Sequence, residues 1–135
     1  MNVTVLDHPL INHYMTIIRN KNTSSSEFKT LAKKVSVLMG FAVFKELLVN
    51  NHKIETPIEN YRGIKINEPY PCLVSILRAG SIIVDGLSEI FPYCSTGYIG
   101  IFRDEKSLRP QTYFEKLPKN ISVSYTHLRA HETIA

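Results

Sequence analysis

The chain has 135 residues, of which 44% are hydrophobic and 21% charged, a balance that suits one folded domain with its own core. Its net charge is +4 with the basic residues scattered along the chain, which argues against nucleic acid as a partner. No stretch approaches the about 20 apolar residues of a membrane-spanning helix, and no secretory signal is visible. We therefore expect a cytoplasmic protein with no membrane partner.

The N-terminal part of the chain predicts two helices. Apolar residues recur at helical spacing over residues 9–20, which predicts a short helix, and over residues 25–49, which predicts a long one. Ser24 and Glu27 have the spacing of a capping box, so we expect Ser24 to cap the long helix. Gly40 lies inside the apolar stripe, where a glycine is unfavourable, and therefore predicts close packing at that position.

The next segment predicts extended structure. Apolar and polar residues alternate over residues 53–66, which predicts two short strands with a turn at Arg62 and Gly63. The apolar run from Cys72 to Leu77 predicts a buried strand. Cys72 and Cys94 lack the spacing of a metal site or a disulfide framework, so we expect free buried thiols.

A strand–helix–strand unit follows. Residues 81–91 predict a helix, residues 97–102 a second apolar strand, and residues 111–117 a strand that returns from a loop tip at residues 107–110. Short connections between a strand, a helix and a strand favour a parallel sheet. The predicted fold class is therefore α/β, with a parallel sheet flanked by helices.

The segment after the first apolar strand has the composition of an anion-binding loop. Arg78 is followed by two small residues, Ala79 and Gly80, and then by a predicted helix. Backbone N–H groups at a helix N-terminus bind phosphate, and an arginine adds a planar, fixed positive charge. The residues predict a phosphate or pyrophosphate site; the alternative is that Arg78 is an ordinary surface arginine.

Several other residues are candidates for a functional role. Asp85 could orient groups near the loop, but a position on the helix surface is favoured. His8 and His13 are not spaced as a helical metal pair, so exposed or hydrogen-bonded histidines are expected. His127 and His131 have that spacing, but a metal site there is not expected, and no metal ligands are assigned.

Taken in order, these segments resemble the uracil phosphoribosyltransferase family. The resemblance runs from residue 8 to about Ile121. It rests on five pieces: His8-Pro9-Leu10, residues 19–24 (RNKNTS), residues 76–86 (ILRAG with VDG), residues 97–104 (GYIGIFRD) and residues 113–118 (YFEKLP).

The resemblance implies a type I phosphoribosyltransferase fold and a reaction of pyrimidine salvage. Uracil and 5-phosphoribosyl 1-pyrophosphate would give UMP and pyrophosphate, with Mg²⁺ carried on the phosphorylated substrate. Arg78, Ala79 and Gly80 would form the pyrophosphate loop, and Arg103 would be a second arginine reaching the same substrate. No catalytic residue is assigned. An ion pair of Arg103 with Asp104 or Glu105 is the alternative for that arginine.

The resemblance also implies parts that this sequence does not show. An acidic loop rich in Gly, Ser and Thr, which binds the ribose and the 5′-phosphate, and a later uracil loop are absent. We therefore expect residues 1–121 to be the N-terminal part of the domain, C-terminally truncated, and residues 122–135 to be a non-family, artefactual tail. A chain of this kind is expected to be inactive alone.

The same resemblance implies which molecules the protein would bind. A homodimer of the full-length protein and activation by GTP are expected by analogy with the family. The alternative function is a non-catalytic, nucleotide-sensing regulator of the same fold that binds RNA. Such a regulator needs a basic face, against which the scattered charges argue.

Overall fold

The computed structural model describes residues 4–119, so the tail after residue 121 and the histidines at 127 and 131 lie outside the described residues. Within residues 4–119, no helix is long and apolar enough to cross a membrane. The elements in chain order are α1 (Pro9–Ile18), α2 (Ser25–Val43), a short 3₁₀-helix (Phe44–Glu46), β1 (Val49–Glu55), β2 (Asn60–Ile66), β3 (Cys72–Leu77), α3 (Ser81–Ile90), β4 (Ser95–Arg103) and β5 (Pro110–Lys116).

Two sheets are present in the described part of the chain. β3, β4 and β5 form one sheet in that order, with β3 parallel to β4 and β4 antiparallel to β5. The predicted strand–helix–strand unit and the returning hairpin arm are both confirmed. β1 and β2 form a separate antiparallel hairpin. The result is an α/β fold whose parallel strands are joined by α3.

The start of α2 follows the predicted cap. Ser24 Oγ accepts a hydrogen bond from the Glu27 N–H at 3.1 Å, which satisfies one of the free donors at the start of α2. His8 caps α1 in the same manner, because its Nδ1 accepts from the Leu10 N–H at 3.1 Å. His8 therefore has a structural role.

The long helix ends earlier than its apolar spacing predicts. α2 stops at Val43, tightens into the 3₁₀-helix, and Val49 already pairs with Ile66 in the β1–β2 ladder. The Phe44 ring packs edge-on against Phe91, with centroids 5.7 Å apart, which ties the end of α2 to the end of α3. Tertiary contacts and strand pairing outweigh the helical pattern of residues 44–49.

The predicted turn at Arg62 and Gly63 is wrong, because both residues lie inside β2. The chain reverses at residues 56–59 instead. Thr56 Oγ1 donates to the Glu59 carbonyl at 2.6 Å and accepts from the Glu59 N–H at 3.1 Å. Pro57 has no N–H to donate to a ladder, so a Thr-Pro pair suits this turn.

The prediction that β3 is a buried strand is wrong for one of its faces. Ser75 is fully buried, whereas Val74 and Ile76 are 43% and 54% exposed. Neighbouring side chains of a strand point to opposite faces, so an apolar run needs cover on both sides to be buried. Within residues 4–119, the helices cover only the face that carries Ser75.

Cys72 begins β3 and Cys94 directly precedes β4. Both cysteines are free and half-buried, and burial raises the pKa of Cys94 to about 11.

The core lies between α2 and α3, whose backbones approach closely. A Cβ on Gly86 of α3 would lie 2.5 Å from Ser36 Cβ and 2.8 Å from the Lys33 carbonyl oxygen of α2. Gly40 is also buried, with Leu87 3.3 Å from the place of a Cβ, so the predicted close packing there is confirmed. The buried apolar side chains around this contact are Leu31, Val35, Val84, Leu87 and Phe91.

We expect Gly86→Ala to destabilise the fold by about 1–3 kcal/mol, because the added methyl must push α3 away from α2. Gly63→Ala is the matched control, since the nearest atom to a Cβ there is 3.5 Å away. Urea unfolding of the two variants measures the difference. Equal stability of Gly86→Ala and the unsubstituted chain would contradict the close α2–α3 contact.

Candidate functional site

The carboxyl ends of β3 and β4 meet at one edge of the sheet. Leu77, the last residue of β3, is in register with Gly100 of β4, and Arg78 follows directly. β4 continues from Gly100 to Arg103, which places Arg103 about 10 Å further along the strand direction at a rise of roughly 3.3 Å per residue. The topology therefore brings the two predicted arginines to the same edge, where both are exposed.

The loop from β3 to α3 is a tight turn that lies against the strand. The Gly80 N–H donates to the Ile76 carbonyl at 3.0 Å and the Ser81 N–H donates to the Arg78 carbonyl at 3.2 Å. A Cβ on Gly80 would lie 2.8 Å from the Ile76 carbonyl oxygen, so no side chain fits there. Arg78 and Ala79 are exposed at the outer side of this turn.

The N-terminus of α3 carries no capping side chain. Gly80 occupies the N-cap position, and the first turn contains no acidic residue. α1 and α2, in contrast, are capped by His8 and Ser24. The first N–H groups of any helix lack partners within the helix and carry a partial positive charge. An anion at this helix N-terminus would take the place that a capping side chain fills in the other two helices.

Ser75 lies beneath the loop and was not singled out by the sequence. Its Oγ is buried without a hydrogen-bond partner in the described part of the chain, 3.1 Å from the place of a Cβ on Gly80. A serine inside an apolar strand, next to a turn of small residues, is the sequence signal that could have identified it. The backbone of Gly80 thus rests on Ser75.

Residues 104–109 connect β4 to β5 and form a turn organised by one carboxylate. Asp104 Oδ1 accepts from the Ser107 N–H at 2.6 Å and from the Lys106 N–H at 3.1 Å. The hydrogen bond from Ser107 is the main cause that lowers the pKa of Asp104 below its ordinary value. The Asp104 N–H in turn donates to the Arg109 carbonyl at 3.0 Å, which closes the loop.

This arrangement bears on the alternative role of Arg103. In the part of the chain that the structure describes, Lys33 and Glu89 form an ion pair, whereas Arg103 pairs with neither Asp104 nor Glu105. The Asp104 carboxylate instead binds the loop backbone. The sequence suggested Asp104 only as a partner for Arg103, although an Asp at the start of a turn commonly accepts from the backbone N–H two residues on.

Two further residues near these elements can be placed in the structure. Asp85 is exposed on the surface of α3, as favoured, and its charge contributes, after the hydrogen bond and charge of Glu89, to raising the pKa of Lys33. Tyr113 packs its ring over Gly100, where a Cβ would lie 2.6 Å from the ring. Over residues 4–119, no group of three His, Cys, Asp or Glu side chains is placed to hold a metal ion.

Comparison with known proteins identifies the relatives of this chain. A family model described as uracil phosphoribosyltransferase matches residues 5–129. Curated proteins of that name are 41% identical over 88% of this chain in Alkaliphilus oremlandii and 43% identical over 87% in Pediococcus pentosaceus. A solved structure, the AQ2163 protein of Aquifex aeolicus, superposes with a TM-score of 0.76 at 30% identity, covering 85% of this chain and 55% of that one.

The chain spans little more than half the length of these relatives, 57% of the Alkaliphilus protein and 56% of the Pediococcus protein. The family match extends past residue 121, where the resemblance in the sequence was expected to end. Residues beyond 119 lie outside the described structure, so the boundary of the domain stays a prediction.

We expect the turn at residues 104–109 to depend on ionised Asp104. The pKa of Asp104 is lowered from its ordinary value of 3.8. The ionised carboxylate therefore stabilises the turn fully at pH values above 3.8, and this stabilisation is lost as the pH falls through the lowered pKa. NMR titration of the Lys106 and Ser107 amides should give a midpoint below 3.8.

Two variants make this test specific. Asp104→Asn keeps an acceptor oxygen but cannot titrate, so the two amides should keep their hydrogen bonds and lose the pH dependence. Asp104→Ala should release both amides at every pH. A midpoint at or above the ordinary value in the unsubstituted chain would contradict the role of Asp104.

Proposed function

The chain belongs to the uracil phosphoribosyltransferase family, and from this premise we propose that its domain binds 5-phosphoribosyl 1-pyrophosphate and takes part in its reaction with uracil to give UMP and pyrophosphate. The observation that carries the proposal is the uncapped N-terminus of α3 behind the Arg78–Gly80 turn, at the same sheet edge as Arg103. A pyrophosphate group matches such a site in charge and in its need for several donors.

The chemistry of the reaction explains why N–H groups and arginines would surround the pyrophosphate, which is the leaving group. The bond between ribose C1 and the pyrophosphate oxygen breaks, a bond from C1 to N1 of uracil forms, and the N1 proton of uracil is released. Positive charge develops on the sugar and negative charge on the departing pyrophosphate. Donors fixed in advance at the developing negative charge lower the barrier, because they need no reorganisation during the reaction. The α3 N–H groups and Arg78 would act in this manner, and Arg103 would reach the same substrate.

The turn at residues 104–109 would close over the carboxyl ends of β3 and β4. It stands at the tip of the β4–β5 hairpin, directly after Arg103. Closure of such a loop over the bound substrate excludes water, which would otherwise hydrolyse the reactive sugar. Asp104 would keep the tip in one conformation while the hairpin moves.

Further features of the proposal follow the family. Mg²⁺ would arrive on the phosphates of the substrate, which suits a site whose contributed groups are donors and arginines rather than carboxylates. The intact enzyme would work in the cytoplasm as a homodimer, with GTP as an activator. Because ribose-phosphate and uracil loops are absent from this sequence, we propose that the 135-residue chain forms no UMP alone.

The test joins residues 1–119 to the C-terminal part of the Pediococcus pentosaceus relative and assays UMP formation. We expect activity from the chimera and none from the 135-residue chain. Arg78→Ala in the chimera should lower kcat/KM for 5-phosphoribosyl 1-pyrophosphate by about 100-fold or more, as loss of a charge-stabilising donor does.

Arg62→Ala, which removes an exposed arginine of β2, is the matched control and should leave kcat/KM within about twofold. An unchanged kcat/KM in Arg78→Ala would contradict the assignment of the pyrophosphate site. UMP synthesis by the 135-residue chain alone would contradict the proposal that it is inactive.

A further inference from the structure

Ser75 carries a buried hydroxyl to which the described part of the chain gives no partner. The residue is 1% exposed, and its Oγ makes no hydrogen bond within residues 4–119. Burying a hydroxyl without a hydrogen bond is unfavourable, whereas an alanine would fill this place in an apolar strand without that cost. A group of this kind calls for an explanation, and the surroundings of its side chain supply one.

Another buried serine shows the ordinary arrangement. Ser36 of α2 is 2% exposed, and its Oγ donates to the Ala32 carbonyl at 2.9 Å, one turn earlier in the same helix. The fold alone therefore satisfies the hydroxyl of Ser36. The two serines are matched in size and in burial, and they differ in whether the fold supplies a hydrogen-bond partner.

The Ser75 hydroxyl lies against the turn that leads into α3. Its Oγ is 3.1 Å from the place of a Cβ on Gly80. The Gly80 N–H donates to the Ile76 carbonyl at 3.0 Å, which holds the backbone of the turn over the strand. Arg78 and Ala79 are exposed on the outer side of the turn. Ser75 therefore lies beneath the turn, on the side opposite to an anion bound there.

An anion on the outer side would bring a partner to this hydroxyl from the turn itself. A pyrophosphate group attracts backbone N–H groups and repels carbonyl oxygens. The N–H and the C=O of a trans peptide unit point in opposite directions, so a unit whose N–H faces the anion directs its carbonyl oxygen toward the strand. A serine hydroxyl can donate to a carbonyl oxygen that arrives there.

We infer that Ser75 is a positioning residue for the anion-binding turn: its hydroxyl donates to the backbone of residues 78–80 when the turn holds the pyrophosphate group. The hydrogen bond belongs to the bound state, so binding removes the unfavourable burial that the free chain carries. Ser75 acts through the turn and does not touch the substrate. The inference rests on the pyrophosphate site proposed above and adds a residue on which the affinity of that site depends.

The test compares ligand affinity with stability. Ser75→Ala should weaken the binding of pyrophosphate with Mg²⁺ to the 135-residue chain by about five- to tenfold, measured by isothermal titration calorimetry, as loss of one neutral hydrogen bond does. The same variant should unfold at an equal or higher urea concentration, because it removes an unpartnered hydroxyl from the free chain. A purely structural hydrogen bond would give the opposite result, a loss of stability with the affinity unchanged.

Two further variants control for burial and for volume. Ser36→Ala removes a hydroxyl that the fold already satisfies, so it should lower the urea midpoint and leave the pyrophosphate affinity unchanged. Ser75→Cys keeps a side chain of similar size but offers only a weak donor, so the affinity should fall as it does in Ser75→Ala. Full affinity in Ser75→Cys would assign the effect to volume and overturn the role of the hydroxyl.

The outcomes separate the inference from its premise. Weaker binding with stability retained in Ser75→Ala supports the positioning role. An unchanged affinity, or a parallel loss of affinity and stability, overturns that role and leaves the pyrophosphate site standing. If the unsubstituted chain does not bind pyrophosphate with Mg²⁺ at millimolar concentration, or if Arg78→Ala binds it equally well, the proposed site is wrong and the inference falls with it.

Discussion

The contact between α2 and α3 is the constraint on which the rest of the structure depends. Gly86 allows the backbone of α3 to lie against Ser36 and Lys33 of α2, and Gly80 allows the start of α3 to lie against β3. α3 is thus held at two points where no side chain fits. These contacts fix the direction in which its N-terminus points, and with it the position of the Arg78 turn. A core of this size has few other contacts that could replace them.

The site follows from this placement together with the parallel pairing of β3 and β4. Parallel strands end at the same edge, so a loop after β3 and a residue at the end of β4 become neighbours without a dedicated scaffold. His8 and Ser24 each satisfy one of the first N–H groups of α1 and α2, whereas no side chain caps α3, where the Ser81 N–H donates to the Arg78 carbonyl. The helix held by these two close contacts is therefore also the one at which we propose that the pyrophosphate group binds.

Much of the fold could be predicted from the sequence because local signals decided it. The Ser24 cap, the β3–α3–β4 unit and the β4–β5 hairpin all depend on neighbouring residues. The end of α2 could not be predicted, since it depends on the packing of Phe44 against Phe91 and on the pairing of β1 with β2. The turn at residues 56–59 was missed, although Thr56 and Pro57 are a local turn signal. Among the candidate site residues, Arg78 and Gly80 are predicted from their motif, whereas the backbone bonds of Asp104 and the burial of Ser75 become visible only in the folded chain.

The claim that the uncapped N-terminus of α3 binds the pyrophosphate group is tested most directly by an NMR titration. The 135-residue chain would be titrated with 5-phosphoribosyl 1-pyrophosphate and Mg²⁺ while its amide signals are followed. The largest shifts are expected in residues 78–84, with smaller ones from Arg103 through the turn at residues 104–109. Shifts confined to other regions, or none at millimolar ligand, would contradict the claim.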